Sequence, residues 1–169
     1  MFKELISYIC ILIDKNKSMI KYNLPDFLVG VISRAIYAKW LDRKATNIHK
    51  RDKKRFADLE RTRAEFKESI HKAIFLSNGL DFYTGEKLAW EKISQYNNEK
   101  SEQLKVEYKY ELRFLPTVDH FGKNPNELVF KICGWRTNDS KSDLSYTEYV
   151  ELCKKVVNMS NKRTSTKKN

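Results

Sequence analysis

The sequence predicts an α+β protein, with a helical N-terminal region and a C-terminal unit of two strands and a helix. Two observations lead to this class. Apolar residues recur at helical spacing through residues 1–78, and short strand-like runs occur only after Gly79. The chain has 169 residues, of which 41% are hydrophobic and 33% are charged. This composition supplies enough apolar side chains for one core beneath a large polar surface.

Three helices are predicted before Gly79. The first covers residues 2–20, and the second starts at Phe27, after a break at Pro25. The third extends over residues 57–77. It is predicted to stop at the Asn78-Gly79 pair, since these residues tolerate the left-handed conformation that ends many helices.

The pattern changes after Gly79. Aromatic residues flank Tyr83-Thr84-Gly85, which predicts a tight turn. Residues 91–106 are polar and are predicted to be partly helical, and residues 107–118 alternate enough to predict a strand. Residues 79–158 are therefore interpreted as a second structural unit after the helical region 1–78.

A second strand is predicted over residues 128–133, followed by an Asn-rich turn into a helix. Ser145 and Glu148 form a capping-box pattern that predicts the start of a last helix. Residues 159–169 are basic and lack apolar periodicity, so they are predicted to form a disordered tail.

Four side chains of different chemistry lie on this strand–strand–helix unit. Asp119 and His120 end the first strand, and Asn138 and Lys141 are three residues apart near the helix. Carboxylate and amide oxygens suit a hard divalent cation, and imidazole suits a general base at neutral pH. Neighbouring strand residues face opposite sides, so the strand must end or bend if Asp119 and His120 act together.

These residues resemble the ββα-metal core of the HNH endonucleases. Asp119-His120 matches the pair at the end of the first strand of that family, and Asn126 resembles the middle Asn before its second strand. Asn138 matches the metal-ligand position on the helix, and Lys141 matches a Lys that often follows it. One difference is that no second histidine follows Asn138 where the strict H-N-H pattern has its last His.

The resemblance implies a DNA endonuclease that hydrolyses phosphodiester bonds. His120 would be its general base, and Asp119 and Asn138 would hold Mg²⁺ or Mn²⁺. Lys141 or Arg136 would bind the phosphate, and Asn126 would brace a loop. Many members also bind structural zinc through two cysteine knuckles. Here Asp81 and Thr84 replace the first pair of cysteines and only Cys133 remains of the second, so no structural zinc is expected.

Lys and Arg outnumber Asp and Glu by 33 to 22, which gives a net charge of +11. Such a charge favours a polyanionic partner, and DNA is the partner that we expect. The excess of basic residues is concentrated in residues 42–55, which predicts a helix that binds along the phosphate backbone of a nucleic acid. The residues predicted to bind nucleic acid are Arg43, Lys44, Lys50, Arg51, Lys53, Lys54, Arg55 and Arg136.

Three unpaired cysteines predict free thiols in a reducing, cytoplasmic protein. The apolar run at residues 8–13 is shorter than the roughly 20 residues that span a bilayer, so no membrane partner is expected.

Plainer interpretations remain for each feature. His120 could hydrogen-bond a backbone carbonyl at a strand end, and Asn138 could be a helix N-cap. Tyr83 is more often a core residue than a functional one. The whole chain could be a non-catalytic nucleic-acid-binding protein on the same scaffold, or a helical interaction protein whose basic surface meets an acidic protein.

Overall fold

The structure is a computed structural model, and it describes residues 22–122 and 124–165. The helix predicted for residues 2–20 lies outside this described part. The described chain is rich in helix and contains one two-stranded antiparallel sheet, so its class is α+β.

Helix α1 spans Arg34–Arg55 and begins seven residues later than the sequence predicts. A short 3₁₀ turn, Asp26–Leu28, precedes it, and Gly30 then adopts a positive φ of 79° that interrupts helical geometry. Ser33 caps α1, because its side chain accepts a hydrogen bond from the Ile36 amide.

Helix α2 spans Arg63–Ser77 and begins six residues later than the sequence predicts. Thr62 and Glu65 form a reciprocal capping box that fixes the first turn. The predicted stop is confirmed, since Asn78 and Gly79 both have positive φ angles.

Two short helices follow the turn at residues 80–90, namely α3 (Asn98–Leu104) and α4 (Val106–Glu111). The strand predicted for residues 107–118 is therefore wrong in its first half. The two residues buried here, Tyr108 and Leu112, are four positions apart, which matches one face of a helical turn rather than a strand.

Strands β1 (Pro116–His120) and β2 (Phe130–Gly134) pair antiparallel, from Pro116↔Gly134 to His120↔Phe130. Helix α5 (Trp135–Lys141) follows β2 directly and packs against both strands. This gives the order strand, strand, helix that the sequence predicts.

Helix α6 spans Tyr146–Ser165 and starts at the predicted capping box of Ser145 and Glu148. The prediction of a disordered tail from residue 159 is wrong as far as Ser165, because the helix continues through these residues. None of the residues of α6 is buried.

One hydrophobic core joins the helical region to the sheet. Helix α2 packs against β2, where the ring centroids of Phe66 and Phe130 lie 5.6 Å apart. Helix α1 contributes Trp40, whose ring lies 5.5 Å from that of Trp90. Among the described residues, no helix is both long enough and apolar enough to cross a bilayer.

Candidate functional site

The four side chains predicted to be catalytic line one cleft of about 380 Å³ at the end of β1. The C-terminal half of α1 forms one wall, and the connection from α5 to α6 forms the other. The predicted residues that line this cleft are Asp119, His120, Asn138 and Lys141.

Asp119 lies on the face of β1 that contacts α5 and is only 7% exposed. One carboxylate oxygen accepts a hydrogen bond from the Lys141 ammonium at 3.2 Å, and Lys141 is itself only 5% exposed. The other oxygen accepts from the Tyr83 hydroxyl at 2.5 Å. Burial and the neighbouring Asp119 raise the pKa of Tyr83, so the phenol remains a donor at neutral pH.

His120 turns to the other face of β1, toward α1 and α2. Its Nδ1 lies 2.8 Å from Oδ2 of Asp52, and its ring packs beside Phe66 and Phe130. Of the two expected alternatives, an end or a bend, β1 ends at His120 and does not bend before it. His120 still pairs with Phe130, and the Phe121 amide donates to the Val129 carbonyl. Asp119 and His120 thus reach the cleft from opposite sides of one strand end.

Nε2 of His120 is buried and has no hydrogen-bond partner among the described residues. A buried polar atom without a partner costs free energy and calls for an explanation. An imidazole nitrogen that meets a bound water or a substrate atom would satisfy this requirement. The residue lines the cleft, and the 10% exposure of its side chain lies at atoms other than Nε2.

Asn138 lies in the middle of α5, so the interpretation of this residue as a helix N-cap is wrong. Gly134 precedes the first helical residue and occupies the cap position instead. Asn138 is half-buried, and its amide oxygen lies 4.0 Å from the Cys133 sulfur.

The donor chemistry of the cleft fits a hard divalent cation. Mg²⁺ commonly takes one or two protein oxygens and completes its shell with water and substrate phosphate. Asp119 and Asn138 supply a carboxylate and an amide oxygen on the same cleft. Such a cation would share Asp119 with the Lys141 ammonium. Within the described ranges there is no group of three or more His, Cys, Asp or Glu side chains placed to hold a metal ion.

The predicted basic surface is largely exposed along α1, with one correction. Lys44 turns inward and donates to the Thr117 hydroxyl at 3.0 Å, so it does not lie on an exposed phosphate-binding face. Burial, helped by the charge of Arg43, lowers the pKa of Lys44 to about 8. The exposed predicted residues of α1 are Arg43, Lys50, Arg51, Lys53, Lys54 and Arg55.

Arg51 and Arg55 are the two basic residues of α1 that line the cleft. Arg136 is exposed on α5 but lines a separate depression with Tyr110 and Trp135. The idea that Arg136 binds the phosphate inside the cleft is therefore not supported by its position, and Lys141 is the cation of α5 that lies there.

Asn126 ties the loop between β1 and β2 to the loop between α1 and α2. Its side chain accepts a hydrogen bond from the Glu60 amide and donates one to the Asp58 carbonyl. Its backbone carbonyl accepts from the Arg61 guanidinium. These contacts brace the loop and place Asn126 away from the cleft, whose lining it does not join.

Asp81 links the turn at residues 81–85 to the junction of β2 and α5. It is buried, and one carboxylate oxygen accepts from the amides of Tyr83 and Thr84. The other oxygen accepts from the Gly134 amide at 2.7 Å. A side chain at position 134 would not fit, because its Cβ would lie 2.9 Å from the Arg113 carbonyl oxygen.

Sequence reasoning misses two residues that contact the site, Asp52 and Tyr83. By composition, Asp52 belongs with the charges of the basic segment. A signal is present nonetheless, because Asp52 follows Leu41, Ala45 and Ile48 at helical spacing and so continues the buried stripe of α1. Tyr83 resembles an ordinary core aromatic, and nothing in its spacing shows that its hydroxyl meets Asp119.

Comparison of the chain with protein-family models, with curated proteins and with solved structures finds no match. The functional interpretation therefore depends on the geometry of the cleft and on the sequence pattern.

Proposed function

We propose that this protein is a metal-dependent endonuclease of the HNH type that hydrolyses phosphodiester bonds of DNA in the cleft at the end of β1. One observation carries the proposal. One cleft is lined by two residues at the end of β1, two residues of α5 and two arginines of the basic helix α1. The sequence pattern predicts the first four as site residues.

The chemistry assigned to the chain's residues follows from their contacts. Nδ1 of His120 is engaged by Asp52, so Nε2 is the atom that accepts the proton of an attacking water. The water oxygen bonds to phosphorus, the bond from phosphorus to the 3′ oxygen breaks, and solvent protonates the leaving oxygen. Lys141 stabilises the charge on the phosphate, and Arg51 and Arg55 bind phosphates at the rim.

A divalent cation held by Asp119 and Asn138 would polarise the scissile phosphate and stabilise the leaving oxygen. Asp119 already accepts two hydrogen bonds, but each carboxylate oxygen has two lone pairs, so a further ligand bond remains possible.

A second candidate function is non-catalytic nucleic-acid binding on the same scaffold. The ion pair between Lys141 and Asp119 favours this second function, because the ammonium already neutralises the carboxylate that would hold the metal. Incubation of supercoiled DNA with the protein, with Mg²⁺, with Mn²⁺ or with a chelator, distinguishes the two functions.

We predict that His120→Ala lowers the cleavage rate by about 10²–10⁴-fold and leaves DNA affinity nearly unchanged, since a general base acts mainly on the rate. Gel assays of plasmid cleavage and fluorescence anisotropy of a labelled duplex measure the two quantities. His49→Ala is the matched control, because His49 bonds the Arg61 carbonyl outside the cleft. Cleavage by the His120 variant at the parental rate would contradict the mechanism.

A further inference from the structure

The helical region supplies a side chain to the candidate site that lies far from it in sequence. Asp52, near the C-terminal end of α1, accepts from His120 Nδ1 at 2.8 Å across 68 residues of chain. Asp52 is 2% exposed, and its other oxygen accepts from Arg51 at 3.0 Å. Both carboxylate oxygens are thus fixed, one by the imidazole and one by a guanidinium.

The electrostatics show that Asp52 is a carboxylate at neutral pH. Burial alone raises the pKa of Asp52, but hydrogen bonds from His120 and Arg51 outweigh burial and leave this pKa below its ordinary value. An ionised carboxylate is only an acceptor. The hydrogen bond therefore requires that His120 carry its proton on Nδ1.

The hydrogen bond to Asp52 sets which edge of the ring faces α1, and two aromatic neighbours hold the ring between them. The Phe130 ring centroid lies 4.9 Å from that of His120, and the Phe66 ring meets His120 edge-on at 6.4 Å. In the neutral ring only one nitrogen carries a proton, so a proton on Nδ1 leaves Nε2 as an acceptor. That nitrogen is the buried atom that has no partner among the described residues.

We propose that Asp52 is a positioning residue that fixes His120 as the Nδ1–H tautomer and so makes Nε2 the acceptor of the water proton. This inference rests on the proposed role of His120 as the general base. It also assigns a function to α1 beyond phosphate binding, because the orienting carboxylate comes from the helical region and not from the strand–strand–helix unit.

The test is a long-range ¹H–¹⁵N correlation spectrum of the histidine rings in the full-length protein at mildly alkaline pH. The parent should show His120 protonated at Nδ1 and unprotonated at Nε2. In Asp52→Asn the amide can donate to Nδ1, so the Nε2–H form should become equal or dominant. A parent spectrum with Nε2–H, or an Asp52→Asn spectrum identical to that of the parent, would overturn the proposal.

Plasmid cleavage by the Mg²⁺-loaded protein gives the second readout. We expect kcat of Asp52→Asn to fall by about 10–10³-fold with KM nearly unchanged, since a misplaced proton disables a base that contributes typically 10²–10⁴-fold. A fall in affinity with no fall in kcat would show that Asp52 serves DNA binding instead, and would overturn the proposal.

Asp42→Asn is the matched control. Asp42 lies on the same helix and pairs with Arg63 and Lys67 outside the cleft, so this change alters the net charge equally. It should leave both the His120 spectrum and kcat unchanged. If the parent protein does not cleave any plasmid, the endonuclease proposal fails, whereas the ring spectra still decide whether Asp52 sets the tautomer.

Discussion

Lys44 is a half-buried cation that pairs with no carboxylate among the described residues. Its ammonium donates to the Thr117 hydroxyl and lies 5.5 Å from the Trp40 ring centroid. A hydroxyl and an aromatic face compensate for lost hydration less completely than a carboxylate does. This is why the pKa of Lys44 falls to about 8 rather than rising.

The lowered pKa predicts a specific pH dependence of stability. Between about pH 8 and the unfolded lysine pKa of about 10.4, the unfolded chain binds a proton that the folded chain has released. The contribution of Lys44 to the free energy of unfolding should therefore increase with pH across this window. Urea unfolding of the parent and of Lys44→Met, at pH values on both sides of the window, isolates this contribution.

The Lys44→Met variant should show a smaller rise in stability with pH than the parent does. Lys50→Met is the control, because Lys50 is exposed on the same helix and should keep the parental slope. Equal slopes for the parent and the Lys44 variant would show that the Lys44 ammonium is not desolvated in the folded protein.

At the residue scale, the sequence correctly predicts which residues share a cleft when side chains of suitable chemistry lie close together along the chain. Asp119 and His120 are adjacent, and Asn138 and Lys141 share one helical turn, so their common location follows from local structure. Asp52 and Tyr83 reach the same strand end across 68 and 36 residues. Pairings at such separations depend on how the elements pack, which no local pattern specifies.

At the scale of the element, the turn at residues 80–90 illustrates how one side chain can join two segments of the chain. The Asp81 carboxylate accepts from three backbone amides, two in its own turn and one at the junction of β2 and α5. A carboxylate that accepts hydrogen bonds from several backbone amides holds the surrounding backbone in place, because charge-assisted hydrogen bonds are stronger than neutral ones.

We predict that Asp81→Ala lowers the free energy of unfolding by about 2–4 kcal/mol, because it removes three hydrogen bonds and leaves the buried Gly134 amide without its acceptor. Chemical denaturation monitored by tryptophan fluorescence measures the change. Asp139→Ala, at an exposed position of α5, should change stability by less than about 0.5 kcal/mol. A similar small effect at both positions would show that the Asp81 bonds contribute little to the fold.

The basic helix makes a separate prediction about DNA. Lys50 and Lys54 are exposed and one turn apart near the end of α1 that lines the cleft. Replacing both by Gln should weaken binding to every duplex. It should also reduce the salt slope by about one unit for each phosphate that the protein no longer neutralises. Anisotropy titrations at several salt concentrations measure this slope.

The control for the basic helix removes the same charge from its other end. Arg34→Gln with Lys39→Gln alters two exposed residues in the first turns of α1. This control should retain most of the salt slope. If both double variants bind alike, then net charge and not the cleft end of α1 determines DNA affinity.

At the scale of the whole molecule, the boundary at Gly79 separates two patterns but not two cores. Phe66 and Ile70 of α2 belong to the same buried cluster as Phe130 and Ile132 of β2. The sequence could show that each segment has an apolar face, because periodicity identifies faces. It could not show that these faces meet each other, because periodicity carries no information about partners.

A shared core predicts that the C-terminal unit does not fold alone. Residues 79–169 without the helical region would retain the two-stranded sheet and α5, but β2 would lose its packing against α2. They would also expose Trp90, Phe130 and Ile132, which are buried in the full chain. We expect this fragment to lack a cooperative thermal transition and to give a collapsed amide spectrum.

The matched truncation removes residues from the other end. A chain that ends at Glu151 loses only exposed residues of α6, yet keeps Tyr149, whose hydroxyl bonds Ser140. Its melting temperature should remain within a few degrees of the parent, since surface positions contribute little to stability. A folded 79–169 fragment with dispersed amide signals would contradict the shared core. The 79–169 fragment also lacks Asp52, the carboxylate that hydrogen-bonds His120. Any cleavage by a folded fragment would therefore have to proceed without that hydrogen bond.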